Sequence, residues 1–286
     1  MDILRTLQVE THGETIVIAT AMEMEAAPFV AELSDATETE FCGQTWRVGT
    51  WHGRRVCIIT TGIGLVNAAS AATRAHLLFG DKLLAYICAG TTGGLSADVA
   101  VTDAIIGTQF VYSRADATAF GYAPGQVPGL PAVFKAGSRL TSIADSLPSS
   151  VDFIPEGEDA SNSEGVGAGT EAEGAAGTGA EGDAGAGSGK AAPTPIAIRV
   201  GQVSSSDAFV TSETVERTRE LFPLALGADM ESAAAAQVCA MAGVEFISVR
   251  GVSDLCGPTA GQDFHVDGSV AARVSATVVE HVLAKL

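Results

Sequence analysis

A chain of 286 residues, 47% hydrophobic and 17% charged, carries enough apolar material for one large core or two modest ones. Its formal charge of −18, from 16 basic and 34 acidic residues, argues against a nucleic-acid partner, because tracking a phosphate backbone needs clustered Lys and Arg. Eight of the acids and one lysine fall between Glu156 and Lys190, so the rest of the chain carries −11.

The five cysteines (Cys42, Cys57, Cys88, Cys239 and Cys256) are odd in number, scattered, and without a C-x-x-C pair, which reads as reduced, mostly buried thiols. The opening MDILRTLQVETHGET lacks the apolar core of a signal peptide. No uninterrupted apolar stretch approaches the roughly 20 residues of a membrane span. A cytoplasmic protein with no membrane partner is the expectation.

In chain order, TIVIAT at Thr15–Thr20 is short, β-branched and apolar on both alternations, the pattern of a strand buried on both faces. Similar runs predict strands at Val56–Thr61, Leu83–Ala89, Ala104–Thr108, Ile196–Val203 and Val244–Val249. Between and after them, helical spacing and alanine content predict helices at Leu65–Phe79, Gly137–Leu147, Ser212–Leu221, Met230–Ala242 and from about Gly268 to Leu286, so the fold class is α/β. From about 156 to 194 the chain is a Gly/Ala/Glu/Ser tract that cannot bury enough surface to offset its ordering entropy. Strand-like sequence on both sides makes it a disordered insertion within one domain, ahead of a linker or an acidic interaction segment.

Three groups of acidic or glycine residues stand at the carboxyl ends of predicted strands, where open α/β sheets build ligand crevices. The first is TAMEMEAAPF, with Glu23 and Glu25; either acid could simply favour a helix N-terminus, a reading that suits Glu23. The second is CAGTTGGL, Cys88 to Leu95, preceded by the similar TGIGLVNAA from Thr61. Such turns expose backbone N–H groups and a small hydroxyl to a ligand, but they also serve plain packing. The third pairs ADMES with RGVSDLCG. Asp254 after a buried strand, flanked by Ser253, suits a proton donor, with a turn or cap residue as the bland alternative. Glu231 has the same alternative as a first-turn helix acid.

Taken together and in this order, AMEME, TGIGLVNAA, AGTTGGL, ADATAFGYAPGQVPG, SSSDAFV, ADMESAA and RGVSD resemble the nucleoside phosphorylase and hydrolase superfamily. They look most like its 5′-methylthioadenosine/S-adenosylhomocysteine nucleosidases, with DATAFGYAPGQVPG weighing most for that branch. The resemblance runs from about Ile16 to the C-terminus and skips the low-complexity tract. It implies one nucleosidase domain, residues 1–286, folded as a three-layer α/β/α sandwich with a mixed central sheet.

The activity implied is hydrolysis of the N-glycosidic bond of the two 5′-thio nucleosides, with release of adenine. Asp254 would protonate adenine N7 with help from Ser253. Glu25 would take a proton from the attacking water, and Glu231 with the Met230 backbone would bind the ribose hydroxyls. Thr91 and Gly93 of the glycine turn would line the substrate site. Phe209 would stack on the purine, the Val210 backbone would read its edge, and Phe264 would close over the sugar. Met22, Ile63 and Phe120 look like apolar walls, and Pro128 would reach the 5′ pocket of a neighbouring subunit, which implies a homodimer. Two departures are Thr91–Thr92, where relatives often carry Ser and Ala, and Thr20, where Gly is usual.

A phosphorylase would need arginine for phosphate, whereas the glycine turn offers Cys88 and the first strand is followed by AMEME. Water is therefore the expected nucleophile, with a futalosine-type or other purine nucleosidase, or a phosphorylase, as alternatives. The five histidines form no spaced cluster with cysteines or acids, so neither metal nor cofactor is expected.

Overall fold

The computed structural model describes residues 13–154, 193–256 and 266–286. Among these residues eleven strands form one mixed sheet, whose main path runs β10-β9-β6-β11-β5-β1-β4-β3-β2. In chain order these are β1 (Thr15–Thr20), β2 (Ser34–Phe41), β3 (Gln44–Trp51), β4 (Arg54–Thr60), β5 (Leu83–Gly94), β6 (Ala104–Tyr112), β9 (Thr194–Ser205), β10 (Ala225–Asp229) and β11 (Phe246–Asp254). Two short strands complete the sheet, β7 (Phe134–Lys135) on β6 and β8 (Ser150–Phe153) on β9. The helices are α1 (Glu23–Val30), α2 (Leu65–Phe79), α3 (Ser138–Asp145), α4 (Val215–Leu221), α5 (Ser232–Ala242) and α6 (Gly268–Leu283).

The expected three layers are present. Residues of α1, α3 and α6 pack with Ile16, Ile18, Ile58 and Ile87 on one face of the sheet. Those of α2 and α5 pack with Val17, Ile59, Tyr86 and Phe246 on the other. All six residues of β1 are buried, as continuous β-branched sequence between two parallel neighbours requires, and each such side chain stabilises the fold by about 1.5–3 kcal/mol. No helix among the described residues is long and apolar enough to cross a membrane.

β2 and β3 are absent from the sequence expectation. β2 reads SDATETEF, is largely exposed and pairs only with β3. A polar edge strand carries no apolar stripe to betray it. Its turns do carry a signal: the two-residue loops Cys42–Gly43 and His52–Gly53 have positive φ at both positions, the geometry of tight hairpins. β8 and β9 pair antiparallel, Phe153 opposite Thr194, so the chain leaves for the Gly/Ala-rich tract and returns on adjacent strands. The tract itself falls almost wholly outside the described residues.

One pairing decides where the site lies. β10 follows β9 in parallel but also meets the far end of β5, with Gly227 opposite Gly94 and Ala228 opposite Gly93. The sheet curls back on itself there, and the close approach uses glycines because a side chain on Gly227 would collide with Ile105 and Thr92 at 2.9 Å.

Candidate active site

The curl brings the carboxyl ends of β1, β5, β10 and β11 around one cavity of about 180 Å³. Glu25, third residue of α1, is buried against the last turn of β5. Its Oε1 accepts from the Thr91 amide and hydroxyl, both at 2.8 Å, and its Oε2 accepts from the amides of Ala21 (2.9 Å) and Met22 (3.2 Å). The carboxylate thus satisfies the helix start, as the sequence alternative held for its neighbour, while it lines the cavity. Gly90, at φ +134°, leaves it room: a Cβ there would meet both carboxylate oxygens within 2.9 Å. Glu23 is exposed and pairs with Arg47 at 2.9 Å.

Glu231 precedes α5 and is 5% exposed. Its Oε1 accepts from the Gly64 amide at 3.0 Å, at the start of α2, and its Oε2 faces Arg250 Nη2 at 3.4 Å. Burial pushes its pKa up to about 7; Arg250 and the Gly64 amide pull it down, while the like charges of Asp229 and Glu25 add to the rise. The folded state therefore holds this proton more tightly than the unfolded chain does. The resulting stabilisation is complete below about pH 4.5 and is lost as pH rises through about 7. Glu231→Gln, a permanently neutral analogue, is expected to stabilise the protein at pH 8 by about 1–3 kcal/mol, seen as a higher urea midpoint, with no such gain at pH 4.5.

Asp254 ends β11 at a register shift opposite Gly93. Its Oδ1 accepts from the Cys256 amide at 2.9 Å and its Oδ2 lies 3.0 Å from the Ser253 hydroxyl. Cys256, at φ +54°, turns back over Gly93, where a Cβ would stand 2.3 Å from its Sγ. Burial and the neighbouring Asp254 push that thiol up to about 12, so it stays protonated.

Of the sequence-predicted site residues, Glu25, Asp254, Met22, Ile63, Thr91, Gly93, Phe209, Val210, Met230, Glu231 and Ser253 all line this cavity. Asp207 joins two of its walls by accepting the Leu65 amide at 2.7 Å. Phe209 (75% exposed) and Ile63 (47%) form its open rim. Phe120 is not among the residues lining the cavity of its own chain; it projects 83% exposed from a turn in which Asp116 Oδ1 accepts from the Thr118 amide and hydroxyl. Pro128 is likewise exposed and away from the cavity. Phe264 lies outside the described residues.

Sequence reasoning missed Asp229 and Arg250. Arg250 is 1% exposed, with Nη2 at 3.0 Å from Asp229 Oδ2 and from Cys88 Sγ, and Nη1 at 3.4 Å from the Thr91 carbonyl. The available signal was an arginine inside the otherwise apolar run VEFISVRGV, since a charge in a buried strand requires a buried partner.

A family model described as the phosphorylase superfamily matches residues 15–284. A 5′-methylthioadenosine/S-adenosylhomocysteine nucleosidase of Marinomonas sp. (strain MWYL1) is 30% identical over 264 residues, 92% of this chain and 95% of its own length. The chain belongs to the 5′-methylthioadenosine/S-adenosylhomocysteine nucleosidase family. Among solved structures of that family, the Colwellia psychrerythraea nucleosidase in complex with adenine is 28% identical, with a TM-score of 0.72 and 96% of each chain covered. The Neisseria meningitidis nucleosidase in complex with methylthio-immucillin-A has the same identity and TM-score and covers 96% of this chain and 100% of its own.

Within this family frame the phosphate question is settled locally by charge. The sequence argument rested on the lack of a nearby basic residue, and the fold does bring Arg250 to the site. Its guanidinium, however, is 1% exposed and held by Asp229 and Glu231. No Lys or Arg lines the cavity among the described residues. A dianion there would meet Glu25 and Glu231 with no free cation to neutralise it.

Proposed function

We propose that this chain hydrolyses 5′-methylthioadenosine and S-adenosylhomocysteine to adenine and the 5′-thio-substituted ribose. The observation that carries the reading is the meeting of Glu25, Glu231 and Asp254 in one cavity that offers no cation to a phosphate. Water attacks C1′ as the C1′–N9 bond breaks and its electron pair moves into the purine. Asp254 gives its proton to N7, so the base departs neutral, and Glu25 receives the proton of the water. Glu231 and the Met230 backbone hold the ribose hydroxyls, and the carboxylates favour positive charge on the sugar.

Phe209 and Val210 receive the base, the first by stacking and the second through its backbone; Ser253 keeps the Asp254 carboxyl oriented. Met22 and Ile63 form the apolar wall toward the 5′-thio group. Phe120 and Pro128, exposed in the segment DATAFGYAPGQVPG, complete the 5′ pocket of a partner subunit in a homodimer, a reading supported by an aromatic side chain left 83% exposed beside a conformationally defined turn. A cytoplasmic location suits five free cysteines, four of them buried. The tract at about 156–194 is an insertion into a single domain, supported by the pairing of β8 with β9.

Purified protein incubated with methylthioadenosine in phosphate-free buffer is expected to release adenine at a rate that added phosphate leaves unchanged. Release that depends on phosphate would overturn the hydrolytic reading.

A further inference from the structure

Arg250 offers one guanidinium to two buried carboxylates. Nη2 stands 3.0 Å from Asp229 Oδ2 and 3.4 Å from Glu231 Oε2, and the side chains of both Arg250 and Asp229 are 1% exposed. Asp229 is also the better anchored acid. It accepts from the Ser205 hydroxyl at 2.5 Å, from the Ser232 hydroxyl, and from the amides of Glu231 and Ser232 at 3.3 and 3.2 Å. Glu231 has the Gly64 amide and its longer contact with Arg250.

We propose that Asp229 is a positioning residue: by drawing the Arg250 guanidinium to itself it leaves Glu231 partly paired, and so sets the pH at which Glu231 gains the charge that receives the ribose hydroxyls. This rests on the reading of Glu231 as the ribose anchor. The groups facing Glu231 among the described residues are Arg250 from β11, Asp229 from β10, Glu25 from α1, the Gly64 amide at the head of α2, and Cys88 from β5. Cys88 is a neutral thiol, pushed up to about 12 by burial. One cation therefore serves two acids, with Glu25 nearby as a further negative charge, and whichever acid binds it best decides the charge on the other.

The test is the acid limb of the pH profile of kcat/KM, which reports the free enzyme. Asp229→Asn keeps the oxygen that accepts from Ser205 and the amides, removes the competing charge, and gives Arg250 to Glu231 alone. The limb is expected to move down by one pH unit or more. Should Asp229→Asn fail to fold, Arg250→Lys supplies the opposite arm. The lysine ammonium ends short of the outer guanidinium nitrogen that meets both acids and is drawn to Asp229, the better anchored one, so Glu231 loses its share of the cation and the limb moves up. A purely structural role for Asp229 would lower the rate at every pH and leave the limb in place; an unmoved limb in either folded variant overturns the proposal. Absence of adenine release from the unmodified chain would instead sink the functional reading on which it rests.

Discussion

Replacing Asp254 with asparagine is expected to lower turnover by a factor of about 10²–10⁴ while the protein remains folded. The folded state tolerates the change because the asparagine oxygen can still accept from the Cys256 amide. Ser253 has a second acceptor in the Thr92 carbonyl at 3.3 Å, so the new amide group can donate to its hydroxyl oxygen. No buried donor is orphaned. What disappears is the transferable proton, without which adenine must leave as an anion. The measurement is single-turnover adenine release from methylthioadenosine beside a urea unfolding curve. Near-native turnover with normal stability would remove Asp254 from the role of acid.

Glu25→Gln is expected to reduce turnover by at least about 10²-fold, and here stability falls too. Both oxygens of Glu25 are fully used as acceptors: Oε1 by the Thr91 amide and hydroxyl, Oε2 by the amides of Ala21 and Met22. A glutamine presents one oxygen and one NH₂, so whichever way it turns, at least one buried amide faces another donor, at a cost of about 1–3 kcal/mol. The two losses separate by measurement. Calorimetric binding of adenine should persist, since Phe209, Val210 and Asp254 are untouched, while hydrolysis stops. Loss of adenine binding together with hydrolysis would point to a collapsed cavity and not to a missing base.

Much of the fold was legible because its strands are buried on both faces and written as short β-branched runs. TIVIAT occupies its predicted span, and so does the helix Leu65–Phe79. The missed elements lack the continuous β-branched run that marks the others. β2 is an exposed edge strand, and β10, ALGAD, is short and built from small residues that pack closely against β5. The helix expected from Met230 begins at Ser232, because Glu231 has φ −132° and is turned into the cavity.

The sequence by itself determined the α/β class, because short β-branched runs record strands buried on both faces; its resemblance to a known family, and not spacing, singled out Glu25, Glu231 and Asp254, which line one cavity. Only the tertiary structure decided how those carboxylates share charge. The curl that sets β10 against β5 packs Glu231 beside Arg250, nineteen residues away in the chain, and the pairing of β1 with β5 brings Thr91 to Glu25, sixty-six away. Coulombic and hydrogen-bond energies depend on separation in space and on burial. Neither quantity is written in the order of residues, and so, although the run VEFISVRGV signals a buried charge, which acids Arg250 serves was out of reach of the sequence.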